Sequence, residues 1–478
     1  TEARIWAADE VKLVEMEMLC IHQAVTDHPA AILAHLRNCK VTSSSLLKVA
    51  SLLDQAFEAA AEAQVKLDGA KSDEDLTVQL DQLQELEFGA VARLCRQLAL
   101  ELRQPRDQAN TVCVRRPTDK ATGKEQVQVA VFHLKAPRIA RETPVLLLDG
   151  TGSEWLNRKV FGKNLEVVRV PIDRSARVVG TIGERVVERV VERDGQRVTE
   201  RNIVLRDFSR QSLTGLDRHG NELSATKTAE AAILRREVAA LAAALAPVFV
   251  CATLKASTML ESDFKATATD IAAGHFGDVR GKNKWQHYPS ALLIGREEVT
   301  PWALEDLTRP FLADDPEPLV PLVNNAGVSC YVQQTRGRRM RDGTVVPVVV
   351  NIHADVRCQE VHEQVREAEL LQAIDRVRAI YNRRLLALLN NLCLDVTYDA
   401  VVSWSELKSG GNDLDRAFAK HGQTVWLTNP GELYRCHRDL WKSKDAAKKT
   451  IDRAGGDSFP RDSYQGPLLS TPLIVLLG

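Results

Sequence analysis

The chain has 478 residues, with 63 Lys and Arg against 64 Asp and Glu and a formal net charge of −1. That length suffices for several domains with sizeable cores, and the charge balance excludes a protein-wide field for nucleic acid, leaving only a local groove. Nine cysteines without a C-x-x-C pair exclude a cysteine zinc ribbon and a disulfide framework and fit a reducing cytoplasm. No apolar run reaches membrane-spanning length, so no membrane partner is expected.

Residues 1–104 read as helices, because apolar positions recur at three and four residues through 11–24, 46–65 and 76–102. From Thr111 the period changes to two, and 112–116 and 126–134 read as paired strands. Next comes PVLLLDGTG, 144–152. An unbroken apolar run ending in Asp149, Gly150 and Thr151 predicts a central parallel strand, buried on both faces, with polar groups at its carboxyl end. Residues 184–204 read ERVVERVVER, Asp194-Gly195, QRVTERNIV. The Asp-Gly pair predicts a two-residue hairpin turn. Pairing outward sets Glu192 against Arg197, Val191 against Val198, Arg189 against Glu200 and Glu188 against Arg201, combinations that cross-strand energetics favour.

Buried strands are then expected at 248–251, 290–294, 345–352 and 385–389, with helices at 225–245, 257–273, 302–312 and 361–381 between them. Such alternation implies an α/β fold with a doubly wound, mostly parallel sheet. Short helices at 414–421, 430–436 and 445–454 suggest a small accessory domain. The chain begins at Thr1 without an initiator methionine and stops in the apolar run 473–478, so we read it as an internal fragment of a longer protein.

The stretch 367–378, EAELLQAIDRVR, carries the most chemical information. It places Gln372, Arg376 and Arg378 on one short helical run. A planar, permanently charged guanidinium suits the charge that spreads over a γ-phosphate during cleavage, whereas an amphipathic helix with a solvated arginine face explains the same spacing. The combination of this stretch with HFGDVRGKNKW, 275–285, resembles superfamily 2 helicase-like replication proteins of phages, plasmids and other mobile elements. The resemblance covers roughly 105–400. It identifies 144–153 with motif III, 249–257 with motif IV, 275–285 with motif V and QAIDRVR with motif VI.

The resemblance implies the C-terminal motor portion of an ATP-dependent DNA helicase acting in replication. Residues 1–104 would be a helical segment, 105–182 the closing strands of a first RecA-like domain, and 183–206 an inserted hairpin. A second RecA-like domain would span 207–400 and a helical accessory domain 401–478. Gln372, Arg376 and Arg378 would complete the nucleotide site, with Asp149, Gly150 and Thr151 coupling the domains. His275, Gly277 and Gly281 would belong to motif V. Thr253, Lys255, Arg280, Asn283 and Trp285 would meet single-stranded or forked DNA, Trp285 as a stacking surface, although a lone tryptophan after a loop is more often packed than stacked on a base. Other replication proteins are the further partners implied.

The departures are specific. Gly150-Thr151-Gly152 replaces an alanine-rich turn, and Asp375 stands where a glycine is common, beside Arg376 with which it can pair. The second arginine falls at +6, where +7 is commoner. No G-x-x-x-x-G-K-[ST] occurs: Thr122-Gly-Lys124 is followed by Glu125, and Phe161-Gly-Lys163 by Asn164. ATP and Mg2+ would therefore be held mainly by residues upstream of Thr1, and this chain alone is expected to bind neither tightly nor to hydrolyse ATP. Two other readings stay open, a non-catalytic nucleic-acid-binding replication scaffold on the same fold and an unrelated doubly wound enzyme using the Asp149 turn. His275, His353 and His362 lack metal-ligand spacing and are expected in structural or solvated roles. Arg336, Arg338, Arg339 and Arg341 are expected in a basic loop, solvated or touching backbone phosphates.

Overall fold

The computed structural model describes residues 7–68, 87–118, 123–135, 137, 139, 143–172, 174–182, 185–193, 196–204, 208–265, 269–322, 328–408 and 429–453. The amino-terminal part is helical as expected: α1 (Ala8–Asp27), α2 (Ile32–Asn38), α3 (Ser43–Asp68) and α4 (Glu87–Glu101). Thr42 opens α3 by accepting from the Ser45 amide at 3.0 Å while the Ser45 hydroxyl accepts from the Thr42 amide at 3.0 Å, a reciprocal cap. Ile21, Leu33, Leu36, Leu46, Val49 and Leu98 close a core beneath the antiparallel pair β1 (Val112–Arg115) and β2 (Gln128–Val131).

The central layer is a six-stranded sheet. Its strands are β3 (Ala176–Ile182), β6 (Val248–Ala252), β7 (Ile271–His275), β8 (Ser290–Ile294), β11 (Arg384–Leu389) and β12 (Ala400–Ser403), in spatial order β12-β3-β11-β8-β6-β7. Every pairing in it is parallel. Alternate residues serve opposite faces. Val248, Val250, Leu292, Ile294, Leu385 and Ala387 pack toward α7 (Ala225–Leu245) and α8 (Leu254–Phe264). Phe249, Cys251, Leu293, Leu386 and Leu388 pack against the other face, covered by the connection 276–288 and by α10 (Val356–Ile374). Burial on both faces explains why these strands read as unbroken apolar runs.

The expected hairpin forms from β4 (Arg185–Arg193) and β5 (Gln196–Val204). Its register is Glu192↔Arg197, Val191↔Val198, Arg189↔Glu200 and Glu188↔Arg201. The Asp194-Gly195 turn lies outside the described residues, as do the expected helix at 414–421 and the apolar run at 473–478. In the accessory segment, α12 (Pro430–Cys436) and α13 (Lys444–Arg453) pack around Leu433, Trp441 and Ala447.

Four expectations are corrected. Residues 144–149 form no strand, and Leu146 and Leu148 are 81% and 88% exposed, so PVLLLD is not a member of the sheet. It is followed by α5 (Glu154–Phe161), capped by Ser153 accepting from the Leu156 amide at 3.2 Å, and by a second exposed apolar stretch at Val168 and Val170. Val345–Ile352 is a strand but pairs antiparallel with Val332–Arg339, making the two-stranded hairpin β9 (Val332–Arg339) and β10 (Val345–Ile352) outside the central sheet. The helix expected at 257–273 ends at Phe264, and Ile271–His275 is the edge strand β7. The segment 176–182, expected with 105–182 in a separate domain, pairs between β11 and β12, inside the same sheet as the 207–400 segment.

Candidate functional site at the two ends of the parallel sheet

After β6 the chain moves outward to β7, and after β8 it moves the opposite way to β11. Diverging connections leave a crevice outside the carboxyl ends of neighbouring parallel strands, where open α/β sheets bind ligands. A cleft of about 740 Å³ lies at this place. Thr253 and Lys255 enter it from the end of β6, Gly295, Arg296 and Glu297 from the end of β8, and Asn390 and Asn391 from the end of β11. Ser209 and Arg210, at the start of the short helix α6 (Arg210–Thr214), form another wall. Gly295 permits that approach. Its φ is +72°, and a Cβ there would sit 2.4 Å from the Phe208 carbonyl oxygen, which no side chain allows.

Charge in the cleft is mixed. Arg296 bonds to Glu298 and to the Asn391 carboxamide oxygen. Glu298 also accepts from His362 at 2.9 Å and lies 3.4 Å from the buried Arg366 guanidinium. Burial pushes the Glu298 carboxyl up, but the His362 hydrogen bond and the two arginine charges outweigh it and hold it at about 2. Glu297 goes the other way, raised by burial and by the nearby Glu369. His353 is buried beside Glu305 at 3.4 Å and accepts from the Asp355 amide, so both His353 and His362 have structural roles.

The arginines of 372–378 stand at the opposite end of the sheet. Helix α10 ends at Ile374, a short 3-10 turn carries Asp375–Val377, and Arg384 then opens β11. Arg384 ties this end together, donating to the Val377 carbonyl at 2.7 Å and the Gln286 carbonyl at 3.0 Å. Arg378 donates to the Asn283 carboxamide at 2.6 Å, and Arg376 to the Lys282 carbonyl at 3.1 Å. Gln372 donates to the Thr151 hydroxyl at 2.9 Å, across 221 residues of sequence. The Asp149 carboxylate fixes that turn by accepting from the Thr151 amide at 2.9 Å. An alanine in place of Thr151 would have no hydroxyl to offer. Burial, and then the like charge of Arg378, push the Arg376 guanidinium below its ordinary value, although an arginine there stays charged.

The 275–285 segment bridges the two ends. His275 Nδ1 lies 2.8 Å from the Phe276 carbonyl. Gly277 donates its amide to Glu369 of α10 at 2.5 Å, and Arg280 reaches the same carboxylate at 2.6 Å. Arg280 therefore pins the turn containing Gly277 and Gly281 to the helix. Of the two readings of Trp285 the packed one holds and the stacking one is corrected: it is 2% exposed, and its ring lies 4.6 Å from that of Phe249. Asp375 does not pair with Arg376. Arg174 holds it through two bonds of 2.9 Å, so Asp375 acts on Arg376 only through its charge and not as a hydrogen-bond partner.

The expected basic loop at 335–343 is mostly strand β9, and its arginines are engaged. Arg336 pairs with Glu363, Arg339 with Asp395 and Arg341 with Asp399, while Arg338 is buried. Sequence reasoning marked Arg296, directly after the strand ALLIG, with the 275–285 segment, but missed Glu369, Arg174 and the cleft residues Asn390 and Asn391. For the last two a signal existed, since polar residues directly after LLALL mark a strand end. Gln333 and Asn351 reach the cleft from the β9–β10 hairpin and had no such signal. No helix among the described residues is long and apolar enough to cross a membrane. Comparison with protein-family models, with curated proteins and with solved structures finds no match to this chain.

Proposed function

We propose that this chain is the C-terminal motor portion of an ATP-dependent DNA helicase, its sheet being the second RecA-like domain. The observation that carries the reading is the meeting of three separated motifs at one end of the sheet: Thr151 with Gln372, and Asn283 with Arg378. In this reading Arg376 and Arg378 face the γ-phosphate of an ATP, with its Mg2+, held by a P-loop domain outside this sequence. Single-stranded or forked DNA crosses the other end, with Thr253 and Lys255 on its phosphates. The exposed apolar stretches at 145–148 and 168–170 support it too, because apolar surface of that kind suits burial against a further domain.

A non-catalytic nucleic-acid-binding scaffold on the same fold is the second reading, favoured by the lack of a P-loop sequence. The arginines decide between them. In the protein joining this chain to its P-loop domain, Arg376→Ala and Arg378→Ala should each lower ATP hydrolysis roughly 10³-fold. Unchanged turnover in both folded variants would refute the motor reading.

A further inference from the structure

The cleft at the carboxyl ends of β6, β8 and β11 has a composition that phosphate binding alone does not explain. A phosphate site gathers donors and positive charge and excludes carboxylates. This cleft places Glu297 and Glu298 among Arg210, Lys255 and Arg296. Gln333, Asn351, Asn390 and Asn391 add four carboxamides, each carrying donors and an acceptor on one planar group.

Two polar atoms there are buried without a partner. Thr253, 8% exposed, has no hydrogen bond at Oγ1, and Asn390, 5% exposed, has none at Nδ2. A buried polar group left unpaired costs free energy, so a turn of either side chain that brings its atom to a ligand in the cleft gains what the empty fold forgoes. Phe208 and Leu254 give the cleft apolar wall. Planar carboxamides, carboxylates that accept from exocyclic amines, and apolar wall match the edge and face of a nucleobase.

We propose that this cleft receives a nucleobase, read by the carboxamides of Asn390, Asn351 and Gln333, with Lys255 on the adjoining phosphate. The source is either a base turned out of a single strand or a free nucleotide. The first rests on the reading that a strand crosses this end of the sheet.

The test uses the purified chain and labelled single strands of equal length, one with bases and one with a run of abasic sites. Both strands carry the same phosphates, so they differ only in what the cleft would read. We expect the abasic strand to bind roughly 10-fold more weakly or worse. Gln333→Ala and Asn351→Ala, on the hairpin rather than in the core, should bring that ratio toward one and leave the salt slope unchanged. Lys255→Ala should weaken both strands equally and flatten the slope. Equal binding of the two strands by wild type, or an unchanged ratio in both hairpin variants, overturns the proposal. If no strand binds, titration with the mononucleotides dAMP, dCMP, dGMP and dTMP decides. Binding that Asn351→Ala abolishes keeps the nucleobase site and rejects the strand, whereas no binding of either rejects both.

Discussion

Arg338 offers the sharpest check on how the cleft is held. It is 1% exposed and has no carboxylate partner. Its guanidinium donates to the carbonyls of Leu392 at 2.9 Å, Thr181 at 2.5 Å and Asn390 at 2.5 Å, above the Tyr398 ring. One side chain of the β9–β10 hairpin thus fastens the carboxyl ends of β3 and β11. The site is tight: a Cβ on Gly180 would meet the Tyr398 ring at 2.8 Å and the Arg338 guanidinium at 3.2 Å. Arg338→Met keeps most of the apolar stem and removes all three donors. Each orphaned acceptor costs about 1–3 kcal/mol. Against this stands the release of a buried charge, which costs several kcal/mol to desolvate and on its own makes such sites no bargain. The orphaned carbonyls should prevail, for a net loss of about 2–4 kcal/mol. Arg338→Lys should be nearly as harmful, since an ammonium cannot reproduce the planar fork. Urea unfolding reads the loss as a lower midpoint at unchanged slope. A methionine variant within about 0.5 kcal/mol of wild type would show that the guanidinium fastens nothing.

Trp285→Ala should destabilise the chain by about 3–5 kcal/mol, the usual cost of emptying a buried aromatic site. Trp285→Phe should leave single-strand affinity unchanged by anisotropy; a selective loss of binding in that folded variant would reinstate a stacking role. The Glu298 cluster gives a pH dependence. Glu298 is held at about 2, below its ordinary value, so its stabilisation is complete above about pH 4.5 and is lost as pH falls toward 2. His362, pushed down by burial, acts in the same direction from about pH 6.5 downward, because the unfolded chain takes up the proton first. Thermal unfolding of wild type and Glu298→Gln from pH 7 to pH 2.5 should therefore show a gap that closes only below about pH 4.5. A gap constant over the whole range would mean that Glu298 is not charged in the fold.

Local pattern determined a good part of this protein. The hairpin register followed from Asp194-Gly195 and the order of charges on either side, both contained within about twenty neighbouring residues. The apolar strands expected at 248–251, 290–294 and 385–389 were legible because a strand buried on both faces must be apolar throughout, whereas the helix expected at 361–381 starts at Val356 and ends at Ile374, before Arg376 and Arg378. The same rule misled at 144–149. An apolar run reports a demand for burial on both faces, and PVLLLD finds no partner strand among the described residues. Ile271–His275 failed for the opposite reason, since Ala272, Ala273 and Gly274 carry little strand signal. They form one only because β6 offers a ladder beside them.

The candidate site belongs almost wholly to tertiary structure. Sequence spacing placed Arg376 and Arg378 on one run, but not Arg174 on Asp375, whose carboxylate therefore makes no direct bond to Arg376. Nor does spacing disclose that Trp285 is core, that Glu369 pins Gly277 and Arg280, or that Gln333 and Asn351 swing from an antiparallel hairpin to a cleft between parallel strands. Periodicity records which face of one element is buried. Which polar groups meet is decided by the order of strands in the sheet, and that order depends on pairings such as Val178 with Leu386 and Val179 with Ala400, which are far apart in the sequence.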